Sequence, residues 1–111
     1  MAITIKHLKD GTVPVTTAAA IVDAVATGKT VIVKNMRFVN TGSGVATLNV
    51  YFKASSGGTG RRILPKDLSI APGALIVEEA ELTLEAGNLV EAVVPSGNTV
   101  DYVISGIERD A

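Results

Sequence analysis

Residues 26–30, ATGKT, have the lettering of a phosphate-binding loop. Such a loop needs a glycine five residues before its Gly-Lys-Thr, and a following helix whose amide N–H groups face the phosphates. This chain has Asp23 at the first of these places and the strand-like run VIVKNMRF at the second. The sequence therefore argues against a nucleotide site around Lys29.

Nucleophilic and metal chemistry lack their usual residues. His7 is the single histidine and the chain has no cysteine, so neither a thiolate site nor the three or four ligands of a zinc centre can be assembled. A serine relay needs a histidine that is oriented by a carboxylate beside a nucleophile, and no G-x-S-x-G motif is present. We therefore expect no enzyme activity, no cofactor and no metal site, with His7 as a surface residue.

The densest group of carboxylates lies in the run VEEAELTLEAGN, at Glu78, Glu79, Glu81 and Glu85. Paired carboxylates serve glycoside hydrolysis or bind calcium in other proteins. Sugar sites usually add aromatic platforms, and tryptophan is absent here. The pattern favours a solvated strand face, with an acidic contact for a basic neighbour through Glu78, Glu79 and Glu81 as the alternative.

The stretch KASSGGTGRRILP, residues 53–65, places three glycines directly before Arg61 and Arg62. A nucleic-acid site would need a net basic chain, whereas the formal net charge is −1. Three interpretations stay open: an ordinary hairpin flank, a protein contact, and a phosphate contact. Because guanidinium groups pair bidentately with carboxylates, the candidate protein contact comprises Arg61 and Arg62, flanked by Lys53 and Lys66.

Charge is distributed unevenly along the chain. Up to Lys66 there are nine basic residues and two acidic ones, a balance of +7; from Asp67 onward there are nine acidic residues and one arginine, a balance of −8. Two explanations are open: cross-strand ion pairs inside one domain, or complementary faces that join subunits head to tail.

The elements that position these residues are short strands. Apolar and polar residues alternate in ITIKHL, VATLNVYFKA and NTVDYVISGIE, which is typical of half-buried strands. Seven turn signals separate the runs, at 10–11, 27–28, 40–44, 55–60, 72–73, 87–88 and 95–98. These signals predict an all-β protein: a single antiparallel β-sandwich of about eight strands, jelly-roll or immunoglobulin-like, over residues 1–111.

Three segments need separate predictions. Residues 16–28 fit either a helix or a strand, and we predict a strand. The run TVIVKNMRFVN changes the parity of its apolar residues, so we predict either a β-bulge near Asn35 or burial on both faces. Residues 1–17 are a candidate N-terminal arm that pairs with a neighbouring chain.

Three longer stretches carry a family resemblance: GKTVIVKNMRFVNTGSGVATLNVYF, LSIAPGALIVEEAELTLEAGNLVEAVV and VDYVISGIE. Together they resemble the small all-β virion proteins of tailed bacteriophages, notably capsid decoration (cement) proteins and tail-associated sandwiches. The resemblance covers roughly residues 20–108 and rests on an Asn-Thr-Gly turn after a strand, an APG turn and an EAGN turn.

The resemblance implies a structural role without catalytic residues. The expected partner is the phage capsid protein lattice, and the expected place is the capsid surface of the virion, after synthesis in the host cytoplasm. It also implies a homo-oligomer, for which a trimer is one expected state, and no nucleic-acid, membrane or small-molecule partner. A tail or head-to-tail connector protein is the first alternative, and a surface carbohydrate-binding or adhesin module is the second.

Overall fold

A computed structural model describes residues 3–79, 81–95 and 98–110 of the chain. Every regular element among these residues is a β-strand. The strands, in chain order, are β1 (Ile3–Thr12), β2 (Ala19–Val22), β3 (Lys29–Asn40), β4 (Ala46–Lys53), β5 (Arg61–Arg62), β6 (Leu68–Ile70), β7 (Leu75–Glu78), β8 (Leu82–Leu84), β9 (Leu89–Val93) and β10 (Val100–Asp110).

The strands form two antiparallel sheets. One has the order β1-β10-β3, with β7 and β8 both pairing with β3; the other has the order β2-β9-β4, with β5 and β6 both pairing with β4. The first strand thus pairs with the last, β2 pairs with β9, and β3 pairs with β7 and β8. This order of pairing is the topology of a jelly roll. The predicted sandwich is confirmed, and its topology is the jelly roll of the two that were open. β5 and β6 occupy one position beside β4, and β7 and β8 occupy one position beside β3. The ten strands therefore fill eight positions.

The core lies between the sheets and is built mainly from aliphatic side chains. On β10, Val100, Tyr102 and Ile104 are buried, as the alternation predicts, and on β4 Leu48 and Val50 are fully buried. Burying each such side chain stabilises the fold by about 1.5–3 kcal/mol. Packing of these side chains in the core therefore contributes strongly to the stability of the sandwich.

A β-bulge explains the change of parity in β3. Val33 pairs with Gly106 and Asn35 pairs with Ser105, so Lys34 is the extra residue on β3. The bulge lets Val33 and the residues after Asn35 turn their apolar side chains to the same core. The bulge predicted near Asn35 is confirmed.

The segment 16–28 contains a strand and no helix. Ala19–Val22 forms β2, which pairs with β9 at the edge of its sheet. Ile21 and Val22 are both buried, although they are neighbours, because the register shifts between Ala20 and Val22. The predicted strand is confirmed, and its length is only four residues.

The turn predicted at Asp10-Gly11 is wrong. Both residues lie inside β1, where Asp10 pairs with Val103 and Gly11 pairs with Tyr102. Gly11 has φ 153°, and a Cβ there would lie 3.5 Å from the Tyr102 hydroxyl. That distance is an ordinary contact, so glycine is favoured here by the backbone conformation, which other residues rarely adopt. Of the other predicted turns, residues 96–97 of the 95–98 signal lie outside the described residues.

β1 is the edge strand of its sheet and pairs with β10 of the same chain. Its first part carries Ile3 and Ile5, which are both strongly exposed. The candidate arm, residues 1–17, therefore includes a strand that belongs to the sandwich. Pairing of this segment with a neighbouring chain stays a prediction.

Candidate protein-binding surfaces

The glycine-rich stretch forms a hairpin whose return strand is the arginine pair. Tyr51 pairs with Arg62 and Phe52 pairs with Arg61, so β5 runs back along β4 at the edge of its sheet. Gly58 N–H donates to the Ser55 carbonyl at 2.9 Å and closes the tip. A hairpin is thus present, with β4 as its first strand and β5 as its second.

Arg62 is tied into the hairpin by its side chain. Its guanidinium donates to the Asn49 side-chain oxygen at 2.6 Å and lies over the Tyr51 ring, 5.1 Å from the centroid. The same Asn49 oxygen accepts the Asp67 backbone N–H at 2.9 Å, while the Asn49 amide donates to the Asp67 carboxylate at 3.0 Å. Asp67 has φ 52°, a left-handed conformation that Asp tolerates better than most residues. Arg62 therefore holds the hairpin in place.

Asn49 is a residue that the sequence pattern places incorrectly. Alternation along β4 puts it on the polar face, yet it is only 3% exposed. The β5 hairpin and the chain at Asp67 cover it and use both ends of its amide. The residue type itself is an indication, because Asn is disfavoured in strands and a buried Asn needs a hydrogen-bonded amide.

The remaining basic candidates differ in how far they are engaged. Lys53 donates to the Ser56 carbonyl at 3.0 Å and lies 3.5 Å from a Glu91 carboxylate oxygen. Arg61 and Lys66 are exposed. Arg62 is exposed as well, but its guanidinium is engaged by Asn49 and Tyr51. A partner contact through any of these cations stays a prediction.

The acidic candidates lie on the other sheet. Glu78 ends β7, Glu79 follows it on the surface, and Glu81 precedes β8. Glu81 pairs with Lys34, the bulge residue of β3, at 2.7 Å. The acidic and basic candidates thus lie on or next to strands of different sheets, and Glu81 has a cation within its own chain.

Most ion pairs of the described residues join the basic part of the chain to its acidic part. Four of the six connect a lysine before Lys66 with a carboxylate after Asp67: Lys6–Glu108, Lys29–Asp110, Lys34–Glu81 and Lys53–Glu91. A jelly roll pairs early strands with late ones, so opposite charges on the two parts meet across strands. Cross-strand pairing is therefore present; head-to-tail joining of subunits stays a prediction.

Three groups give the fold a defined sensitivity to alkaline pH. The hydrogen bond to Asp23 raises the pKa of Lys9, with burial opposing it, and the hydrogen bond to Asp110 raises the pKa of Lys29. Burial raises the pKa of Tyr102. In each case the folded state keeps its proton to a higher pH than the unfolded chain does, so stability is complete below about pH 10 and falls as the pH rises further.

We expect thermal melting temperatures that fall from about pH 10 to pH 11, since the unfolded chain releases these protons first. Tyr102→Phe removes the buried hydroxyl from the titration, so its melting temperature should fall less over the same interval. Differential scanning calorimetry of both proteins at matched ionic strength measures this. Equal slopes for the two proteins would contradict the assigned role of Tyr102.

Other chemical groups stay isolated. His7 lies 3.1 Å from the Asp10 carboxylate with both side chains exposed, and Lys29 of the ATGKT run is held by Asp110 at 2.6 Å. Within residues 3–79, 81–95 and 98–110, His and carboxylate side chains nowhere gather in threes suited to a metal ion. No helix in this described part of the chain has the length and apolar character to cross a membrane.

Comparison with known proteins adds the fold relationship. No family model and no curated protein matches the sequence. Among solved structures, a chain of Bacillus endospore appendages, a family of disulfide-linked pili, is similar with a TM-score of 0.56 and 17% identity, over 97% of this chain and 88% of that one. The Drosophila NLP core, from a structure about pentamer formation and histone binding, is similar with a TM-score of 0.54 and 11% identity, over 92% and 98%.

A chain of the T13 particle of infectious bursal disease virus is also similar, with a TM-score of 0.52 and 11% identity. The match covers 96% of this chain and 30% of the viral one, so this chain corresponds to one part of a longer protein. At such identities the likeness defines the fold. The fold is thus one found in proteins of viral particles and of a pilus.

Proposed function

We propose that this chain is a structural protein of a virion, and more specifically a capsid decoration (cement) protein of a tailed bacteriophage. The observation that carries the proposal is the jelly-roll fold of this chain, which is similar over 96% of its length to part of a viral particle protein. The turn motifs that resemble phage virion proteins support the finer assignment. Asn40 and Asn88, from two of those motifs, each make side-chain hydrogen bonds to the backbone.

The role we propose is mechanical and non-enzymatic. A decoration protein binds adjacent capsid subunits and adds interface area, so that opening the capsid must break more contacts. The similar pilus chain comes from disulfide-linked pili, a linkage for which this chain has no cysteine. Attachment here would be non-covalent.

Arg61 is the residue we propose for direct contact with an acidic lattice surface, with Lys66 and Lys53 adding positive charge. Arg62 acts as a positioning residue, because its guanidinium is held by Asn49 and Tyr51. The acidic residues Glu78, Glu79 and Glu81 are the proposed contact for a basic surface on the neighbouring subunit.

Arg61→Glu is expected to weaken lattice binding about ten- to a hundredfold, because a charge pair becomes a repulsion. The substitution should leave the melting temperature within about 2 °C, since the side chain is exposed. The assay mixes the purified protein with capsids that lack it, across a range of salt concentrations, and quantifies bound protein by sedimentation.

Arg37→Glu is the matched control, since Arg37 is an exposed arginine on a strand of the other sheet. Arg37 also pairs with Val103 of β10, so binding is compared below about 1 μM protein, where weak association between copies of the chain does not contribute. It should bind capsids like the parent protein. If Arg61→Glu binds normally at every salt concentration, or if Arg37→Glu weakens binding more, the hairpin is not the contact.

Electron microscopy of the mixed particles tests the function itself. Protein bound over the head, with increased resistance of the capsid to heat, supports a decoration protein. Labelling of the tail or connector would refute decoration and support the first alternative. Specific glycan binding on an array, with no capsid binding, would refute both virion roles.

A further inference from the structure

The sheet β1-β10-β3 has an outer face that is unusually apolar. Residues that pair across antiparallel strands point to the same side, so the outward residues of β10 at 101, 103, 105, 107 and 109 define this face. The other apolar residues on it follow from the pairing. We call this set the outer face: Ile3, Ile5, Ile32, Val39, Leu75, Val77, Val103 and Ile107.

Exposed apolar side chains are concentrated on the outer face. Among the described residues seven large hydrophobic side chains are strongly exposed, and five of them lie here: Ile3 (62%), Ile5 (85%), Leu75 (51%), Val77 (38%) and Val103 (48%). Single exposed hydrophobic residues are ordinary on protein surfaces, whereas a contiguous patch of several hundred Å² marks an interaction site. The outer face therefore has the character of an interface.

The outward residues of β10 are complementary to themselves. In order they are Asp101, Val103, Ser105, Ile107 and Arg109. Ser105 is in the middle, an apolar residue lies on each side of it, and the two ends carry opposite charges. Laid over a second copy in the opposite direction, Asp101 faces Arg109 and Val103 faces Ile107. If the two β10 strands were parallel, Asp101 would face Asp101 and Arg109 would face Arg109.

The shape of the outer face fits the same arrangement. A groove of about 490 Å³ lies around Ile5, Ser105 and Ile107, on one side of the centre. Val103 and Val77 project from the other side of the centre. In the antiparallel arrangement the groove of each copy receives Val103 of the other.

We propose that the outer face binds a second copy of this chain, with the two β10 strands antiparallel and related by a two-fold axis near Ser105. Such an isologous contact requires a self-complementary surface, which the charge order supplies along the central strand, β10. On the flanking strands Asp10 faces Ile5 of the other copy and Arg37 faces Ile32, which makes the contact weaker than a fully apolar one. Four strands about 4.8 Å apart and about 30 Å long cover roughly 600 Å² per copy. This is somewhat below the area of a standard stable interface, so the dissociation constant should be about 10–100 μM.

Arg37 and Asp10 flank Val103 on the neighbouring strands, so the outer face also carries charge near its apolar residues. A long arginine side chain covers apolar surface with its stem while the guanidinium stays in water. This mixture fits a contact that forms reversibly between stable monomers.

Val103→Lys is the direct test of the proposed contact, with Val45→Lys as its matched control. Both valines are about half exposed, at 48% and 55%, and Val45 precedes β4 in the other sheet. Sedimentation equilibrium up to about 500 μM should show a dimer of the parent protein in the range stated above. Val103→Lys should raise the dissociation constant at least about tenfold, and Val45→Lys should leave it unchanged.

Three results would overturn the proposal: a parent protein that is monomeric throughout, an association that Val103→Lys does not weaken, or equal weakening by Val45→Lys. A trimer that is insensitive to Val103→Lys belongs to the second of these. Melting temperatures of each variant ensure that association is compared among folded proteins.

Orientation is tested by exchanging charges. Asp101→Arg alone should weaken the dimer about five- to tenfold at low salt, because two attractive pairs become repulsive. Adding Arg109→Asp should restore most of the affinity if Asp101 faces Arg109 of the other copy. A double variant that is folded and as weak as Asp101→Arg would refute the antiparallel arrangement.

The self-association does not depend on the proposed function. Its assay uses the purified chain alone, whereas the decoration role is measured on capsids, so either result can fail while the other stands.

Discussion

Replacing Gly106 by alanine is expected to lower the free energy of unfolding by about 3 kcal/mol or more. Gly106 lies on β10 beside the β3 bulge, where it pairs with Val33. A Cβ at this position would overlap the carbonyl oxygen of Ile32, and it would also lie 3.1 Å from the Val33 Cα. These neighbours are backbone atoms of the central strand, so no side-chain rotation relieves the clash.

The expected consequence is a shift of the bulge or a local parting of β3 from β10. These two strands share the longest pairing in the sheet and hold both the core and the outer face. For a domain of this size, 3 kcal/mol corresponds to a fall in melting temperature of roughly 12–20 °C. Thermal unfolding measures the fall, and amide hydrogen exchange along β3 and β10 locates it.

Gly57→Ala is the matched control for this prediction. Gly57 lies at the hairpin tip, where a Cβ would meet no atom within 4 Å, and its φ is not in the left-handed region. The substitution should change the free energy of unfolding by less than about 0.5 kcal/mol. A melting temperature for Gly106→Ala close to that of Gly57→Ala would show that the strands adjust at little cost.

The bulge beside Gly106 shows what the sequence predicts well. The change of parity between Val33 and Met36 is visible in the chain itself, since both must reach the core. Choosing between a bulge and burial on both faces required the partner strand. Ser105 and Gly106 lie some seventy residues away, and no local pattern brings them to this register.

Topology was open for the same reason. Strand patterns and turn residues indicated a sandwich of about eight strands, but a jelly roll and an immunoglobulin-like fold use the same local signals. The charge asymmetry carried a hint, because early basic strands and late acidic strands meet in a jelly roll. Lys6–Glu108 and Lys29–Asp110 join the early strands β1 and β3 to the last strand, β10, in this way.

The sequence selects candidate contact residues by their type and does not assign them different roles. Arg61 and Arg62 are neighbours in sequence, and the sequence offers no reason to separate them. The structure separates them through Asn49 and Tyr51, which engage Arg62. The sequence does not predict the outer face, because each of its strands has apolar residues on both sides. Alternation assigns the inward apolar residues to the core and gives no role to the outward ones.

The two proposed surfaces lie on different sheets. The basic hairpin is on the edge of the β2-β9-β4 sheet, and the outer face belongs to the β1-β10-β3 sheet. A second copy on the outer face would therefore leave the β4-β5 hairpin of each chain on a sheet outside that contact. A dimer of this kind would present two basic hairpins, and two linked weak contacts raise the apparent affinity for a lattice.

Asn40→Leu is expected to destabilise the fold by about 2–4 kcal/mol, because it removes three hydrogen bonds at once, one of them buried and two partly buried. Asn40 is fully buried at the end of β3. Its amide donates to the carbonyls of Gly44 at 2.8 Å and Ile70 at 2.9 Å, and its oxygen accepts the Gly42 N–H at 2.9 Å. Ile70 belongs to β6, so this side chain links the two sheets.

Leucine has the same number of side-chain heavy atoms and the same branch point, so no cavity forms and the loss is expected mainly from the polar groups. The buried Ile70 carbonyl would be left without its partner, at a cost of about 1–3 kcal/mol. The Gly42 N–H and the Gly44 carbonyl are only partly buried, so water can replace part of what they lose. Asn88→Leu is the matched control. Asn88 also bonds the backbone through both ends of its amide, at Ala54 and Glu85, but these contacts are exposed, so water replaces them and the expected cost is below about 1 kcal/mol.

Asn40→Asp separates hydrogen bonding from packing, because it changes one donor group and almost no volume. Its carboxylate would face two carbonyl oxygens in a buried site, so the carboxyl pKa should rise above its value in the unfolded chain. The folded state then holds the proton to a higher pH, and stability falls as the pH rises from about 4. Urea unfolding should therefore show that Asn40→Asp loses less unfolding free energy, relative to the parent protein, at pH 4 than at pH 7. The loss for Asn40→Leu should not depend on pH. Equal losses for Asn40→Asp at both pH values would mean that the Asn40 amide does not face the two carbonyls.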